Sequence, residues 1–247
     1  MVTKHSEFGH GQPWRKALQM ISCAGVVFYF TGCASTNYKK ADAASESLQT
    51  AAAHIQAESR SIDVVLVSLD DLVNKPAPDL KPQFNRFNKA LDRLVAASER
   101  AEKAANDADH KSAEYFQYWD KEMASIKYEA VRDQSVSRKT QVSNEFNTVN
   151  QRYRENQAVI QPLISYLQDI RTALSTDLTM GGIESVKNLA GNAQQNARKV
   201  QVALARLSDE LEASGERMSS LTPQTEAARG GVSDPNQSSQ DRAQSLP

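Results

Sequence analysis

Chemistry inside a protein needs a few residue types at the right spacing, and this chain offers few of them. Of its four histidines, His5 and His10 precede an apolar leader segment, which leaves His54 and His110. Asp107 precedes His110 by three residues, so the two share one helical face. A di-iron bundle needs two Glu-x-x-His pairs and two further glutamates. Ala51 stands three residues before His54, so the second pair is missing, and both histidines read as solvated side chains. After Gly32 the next glycines are Gly181 and Gly182, which fit no phosphate-loop fingerprint. Spacing proposes no Ser/His/Asp set either. The expectation is a protein without catalysis, cofactor or metal.

The densest unusual stretch is YFQYW, which holds Tyr115, Phe116, Tyr118 and Trp119. Tyr115 and Trp119 fall on the apolar seam of a helical register, and Phe116 and Tyr118 flank it. Four large rings in five residues cannot all face one narrow seam. Two readings stand: a bulky plug in an alanine-rich part of a bundle, or a partly exposed patch for a protein partner or a membrane.

Cys33 is the second and last cysteine. Lys4, Arg15 and Lys16 form a positive leader, and the 14 residues from Ala17 to Phe30 carry no charge. A membrane-spanning helix wants about 20 apolar residues, whereas a secretory h-region has about 7–15. Thr31, Gly32 and Cys33 follow directly. This arrangement resembles the lipobox of bacterial lipoproteins, although Phe30 stands where that family usually has leucine. The resemblance implies cleavage before Cys33, acylation of its thiol and new amino group, and removal of Cys23 with the signal. The other readings of Cys33 are a buried thiol or a disulfide with Cys23. Ala34, not aspartate, follows the cysteine. By resemblance to Gram-negative lipoproteins this favours the outer membrane, facing the periplasm. Several acyl chains on one residue would anchor stably, because each buried CH₂ contributes about 0.8 kcal/mol.

The elements that must position these residues are helices. The 247-residue chain has a formal net charge of −1, which gives no basic stripe for nucleic acid. Aromatic residues are 6% of it, too few for a chain built around one thick core, and enough for long helices that each bury a narrow seam. No glycine lies between Gly32 and Gly181, where a β-rich chain would need turns every 8–12 residues or so.

Four heptad-like stretches follow. The first places Ala41, Ala44, Leu48, Ala51, Ile55, Ile62, Val65, Leu69 and Leu72 on one seam, with Glu58 as its one polar exception. Pro76, Pro78 and Pro82 end it, and Asp79 can cap the next helix. The second stretch runs from Phe84 to Ile126, with Ser98, Ser112 and Glu122 at polar seam positions. Its phase fails across RDQSVSRKTQ, read either as a turn near 128–136 or as one continuous helix with a stutter. The third runs from Val142 to Leu174, with a kink expected at Pro162, and Gly181-Gly182 supplies a stop. The fourth runs from Ile183 to Leu221, alanine in its first half and leucine from Leu204 onward. The resulting expectation is all-α: an elongated antiparallel bundle or coiled coil of about four long helices. Residues 1–32 form the removed signal, 33–37 an anchor and linker, 38–221 the bundle and 222–247 a disordered tail.

The segments WDKEM, SRKTQVSNEFNTVNQRY and IQPLISYLQDIRTALSTDLTMGGIESVKNLAG resemble a family of all-helical bacterial proteins defined only as a domain of unknown function. The resemblance covers roughly Tyr38 to Gly215. It implies the helical architecture and carries no activity. The functional expectation is a lipid-anchored element of the cell envelope that binds an unknown envelope protein, or itself, through a helix face. The alternative is a membrane-active protein that oligomerises or inserts. That would want a second long uncharged segment, and the best candidate, AVIQPLISY from Ala158, is nine residues long.

Overall fold

The structure is a computed structural model. The chain divides into two units, Met1–Gly32 and Cys33–Pro247, and the residues it describes, 34–220, all belong to the second. The signal segment, Cys33 and the tail 222–247 lie outside them.

Four helices account for nearly all of the described residues: α1 (Ala34–Asn74), α2 (Lys81–Met123), α3 (Glu129–Thr176) and α4 (Met180–Met218). At 1.5 Å per residue, each of these 39- to 48-residue helices is roughly 60–70 Å long. The helix expected from Ala41 begins earlier, at Ala34, so α1 takes in residues 34–37 that the sequence assigns to a linker.

The helices form a closed ring in which each packs on its two chain neighbours and α4 returns to α1. The diagonal pairs α1/α3 and α2/α4 bring no Cα atoms within 8 Å. Side-chain pairs fix the antiparallel register. Gln56 donates to Ser208, Gln201 to Asp63 and Gln194 to Asp70. Each step of seven up α1 is thus matched by seven down α4, as heptad packing requires. Lys40 with Glu114 and Gln83 with Asp71 set α1 against α2 in the same way. Asn150 with Asp109 and Arg171 with Asp92 do so for α2 and α3, and Arg152 with Glu210 for α3 and α4.

One end of the bundle carries the two short links 75–80 and 177–179. The other, called here the open end, carries the start of α1, the end of α4 and the α2–α3 turn. Side-chain size is graded between them. Ile62, Leu69, Leu72, Phe87, Leu91, Leu94, Ile160 and Leu167 are fully buried towards the linked end, where α4 supplies Ala190, Ala193 and Ala197. Nearer the open end α1 and α2 offer Ala44, Ala51, Ala52, Ala101 and Ala108 beside Leu48 and Ile55, and α4 supplies Leu204, Leu207 and Leu211. Opposite the alanines of α4 the partner seams are bulky, which fills the space there without forcing the helices apart.

The α1–α2 link is held by one side chain. The buried amide of Gln83 accepts from the Ala77 N–H (2.8 Å) and donates to the carbonyls of Asp71 and Lys75 (both 2.9 Å). The N-cap of α2 is Leu80, without a side-chain cap; Asp79, expected to cap the helix, stands one residue earlier and receives the Lys81 N–H, with Pro82 in the first turn.

Two boundaries differ from the sequence expectation. The turn expected near 128–136 lies at 124–128, where Ser125 and Ile126 donate to the carbonyls of Glu122 and Met123. The polar run that follows is helical. It loses the heptad phase because the first turns of α3 are mostly exposed, touching α2 through Trp119–Ser135 and Asp120–Lys139. Nor does Gly181-Gly182 stop α3. It lies in the first turn of α4, where the Thr179 hydroxyl receives the Gly182 N–H at 3.2 Å. α3 runs as helix through Pro162, whose missing N–H leaves the Ala158 carbonyl without its usual donor.

Glycine is needed at 182 for space. A Cβ there would sit 2.0 Å from the Asp177 carbonyl oxygen, a backbone atom that cannot swing away. Gly191, on the exposed face of α4, has nothing within 4 Å of the same position. Gly182→Ala is therefore expected to destabilise by about 1–3 kcal/mol, and Gly191→Ala to stabilise by about 0.5–1 kcal/mol through helix propensity. Thermal melts of the two variants followed by circular dichroism check this, and equal shifts would refute it.

Candidate functional site

Two places in the bundle break the pattern of a plain apolar seam. The first is a buried polar layer at mid-height. Glu58 on α1 occupies a seam position and is 0% exposed, yet neither carboxylate oxygen has a hydrogen-bond partner among the described residues. Burial pushes its carboxyl from 4.5 up to about 7; the Ser98 hydroxyl on α2, near it but not in hydrogen-bonding geometry, pulls the other way. Tyr153 on α3 contributes a second orphan, its hydroxyl. Burial, then the charges of Glu102 and Glu58, hold that phenol well above its ordinary range, so it stays protonated. The consequence of this layer is for stability.

The second is a cavity of about 320 Å³ at the open end. Its walls come from all four helices: Tyr38 from α1, Tyr115, Trp119, Glu122 and Met123 from α2, Ser135 from α3 and Met218 from α4. Tyr115 and Trp119 stand one helical turn apart, with ring centroids 5.4 Å apart and planes tilted by 46°. The Trp119 Nε1–H donates to Ser135 Oγ at 2.8 Å, which fixes the indole across the α2–α3 turn. Asp42 accepts from the Ser220 backbone N–H and hydroxyl, holding the end of α4 against α1 at the cavity rim.

The four predicted aromatic residues are all half-buried, and they separate. Tyr115 and Trp119 line the cavity. Phe116 turns towards α3 and meets Phe146, centroid to centroid 5.9 Å. Tyr118 turns towards α1, with the Lys40 ammonium 5.7 Å from its ring centre. Neither sequence reading describes this arrangement whole: part of the cluster packs on the core and part borders open space. Cys33 immediately precedes α1 in the chain and lies outside the described residues. His54 is half-buried on α1, and His110 is exposed with Nδ1 3.8 Å from Glu114. No group of three His, Cys, Asp or Glu suited to a metal occurs among the described residues.

The sequence reading missed Tyr38, Met123 and Met218 as wall residues. Met123, not Glu122, is the buried residue at the end of α2. The signal was available in part, because the register that pairs Lys40 with Glu114 also brings Tyr38 to the height of Tyr115 and Trp119.

A family model described as Protein of unknown function (DUF2959) matches residues 29–220. No curated protein and no solved structure matches the chain.

Proposed function

The chain belongs to the DUF2959 family, and from that premise we propose that it is a lipid-anchored helical bundle of the cell envelope whose open end engages another envelope component. The observation that carries this reading is positional. The aromatic residues Tyr115, Phe116, Tyr118 and Trp119 gather at the end where α1 begins, one residue after the cysteine that the sequence marks for acylation. A short tether there would hold the aromatic end near the bilayer and leave the linked end to extend away from it. The same residues support an interaction role, since the cavity is lined by one carboxylate, hydroxyls and rings. No helix among the described residues is long and apolar enough to cross a membrane, so attachment on this reading falls to the lipid. Outer-membrane placement, facing the periplasm of a Gram-negative cell, is the part of the proposal that rests on Ala34.

Cys33→Ala is expected to move the protein from the membrane pellet to the soluble fraction and to abolish labelling by a radioactive or clickable fatty acid. Unchanged pelleting of the variant, with no label in the native protein, would sink the anchor.

A further inference from the structure

We propose that the open-end cavity binds a trimethylammonium group, free or carried as a lipid headgroup. The inference rests on the cavity walls alone and stands whether or not Cys33 is acylated.

Three aromatic residues, Tyr38, Tyr115 and Trp119, border the space, contributed by two different helices. The tilt between the Tyr115 and Trp119 rings makes them adjoining walls, not a closed stack. Aromatic faces carry the negative part of the ring quadrupole and attract cations, Trp most strongly. Glu122 adds a carboxylate side chain to the lining and makes no ion pair among the described residues. Met123 and Met218 add polarizable sulfur. No lysine or arginine among the described residues lines this cavity, although the Arg138 guanidinium on α3 is near enough for its charge to act on the Tyr115 hydroxyl. Within the lining itself the one carboxylate side chain is Glu122, which favours a cation over an anion.

The kind of cation follows from hydrogen bonding. An ammonium or guanidinium group brings three to five N–H donors, each of which must be satisfied on leaving water. Beyond one carboxylate the lining offers side-chain acceptors as tyrosine and serine hydroxyls, of which Ser135 Oγ already receives the Trp119 N–H and Ser220 Oγ is turned to Asp42. A quaternary ammonium has no N–H to satisfy, carries apolar methyl groups that suit rings and thioethers, and is weakly hydrated. A space of about 320 Å³ admits such a group with part of its attached chain.

The chain has two tryptophans, Trp14 and Trp119, so full-length protein carrying Trp14→Phe has a single fluorophore in the cavity wall. Titration with choline chloride is expected to shift Trp119 emission saturably, and ammonium chloride at equal ionic strength is expected to leave it unchanged. Glu122→Gln, nearly isosteric and half-buried, should weaken choline binding about five- to tenfold, and Tyr38→Ala by a similar factor, with helicity checked by circular dichroism. Broadening of the choline methyl resonance in the presence of protein gives a readout independent of the fluorophore. A further pair of arms, phosphatidylcholine against phosphatidylglycerol vesicles, separates the sources: a shift with the first alone assigns the lipid headgroup, and a shift with free choline assigns a soluble ligand. No saturable response to choline or to phosphatidylcholine would overturn the proposal. Equal responses to ammonium and choline, or unchanged affinity in Glu122→Gln, would overturn it as well.

Discussion

Replacing Glu58 with leucine is expected to raise the melting temperature at pH 8 by roughly 6–12 °C, and by much less at pH 4.5. In the folded protein the Glu58 carboxyl sits at about 7 because burial opposes its charge, against 4.5 for an ordinary glutamate. Below pH 4.5 the side chain is protonated in both folded and unfolded chains, and burial carries no ionisation penalty. Between pH 4.5 and 7 the unfolded chain releases its proton first, so the folded state binds more protons and loses stability as pH rises. Above about pH 7 both forms are ionised and the loss levels off. The interval of about 2.5 pH units corresponds to roughly 3 kcal/mol. For a chain of this size that is roughly 6–12 °C. Glu58→Gln separates the two contributions. It should flatten the pH dependence as leucine does, yet gain less stability, because its amide would still lie among groups that offer it no partner. Melts of the three proteins at pH 5, 6, 7 and 8 decide the matter. A native protein that grows more stable from pH 5 to pH 8 by more than the Glu58→Gln variant does would place the carboxyl elsewhere than in the core.

The same residue shows how far the sequence could be read. Glu58 was visible as the one polar member of the first seam, since a heptad register names every buried position without knowing what packs on it. Four helices, their antiparallel order and the Pro76–Pro82 break were legible for the same reason: helical phase and proline act locally. Boundaries that depend on tertiary contact were not. The polar run from Arg132 to Gln141 looks like a turn because its outer face is exposed, and its helix continues regardless. Gly181-Gly182 looks like a stop because glycine often ends helices. Here one of the pair admits the Asp177 carbonyl beneath the first turn of α4. Gln83 gives no local sign that it binds three backbone groups of a link preceding it. The open-end cavity joins Tyr38 and Met218, near opposite ends of the described chain. Only the return of α4 to α1 brings them together, and no short-range pattern encodes that.

The graded seam of α4 supplies the other large effect, with errors of opposite sign expected at its two halves. Leu204 is 1% exposed at the level of Glu58, between the Gln56–Ser208 and Gln201–Asp63 pairs. Truncating it to alanine would leave a hole that long, ring-braced helices cannot collapse to fill, and Leu204→Ala is expected to cost about 2–5 kcal/mol. Ala193 is fully buried where the neighbouring helices are bulky. Ala193→Leu should therefore cost about 1–3 kcal/mol despite adding apolar surface and keeping a good helix former. The spacing of α4 from α1 is held there by the polar pairs Gln194–Asp70, next to Ala193, and Gln201–Asp63, beyond Ala197, which would stretch if the helices parted. The same constraint applies towards the open end, where a Cβ on Gly215 would stand 3.0 Å from the Ser45 carbonyl oxygen. Denaturant unfolding of both variants measures the two costs on one scale. If Ala193→Leu proved neutral or stabilising, the α1–α4 spacing would be adjustable, and the alternation of large and small side chains would not be what fixes the ring.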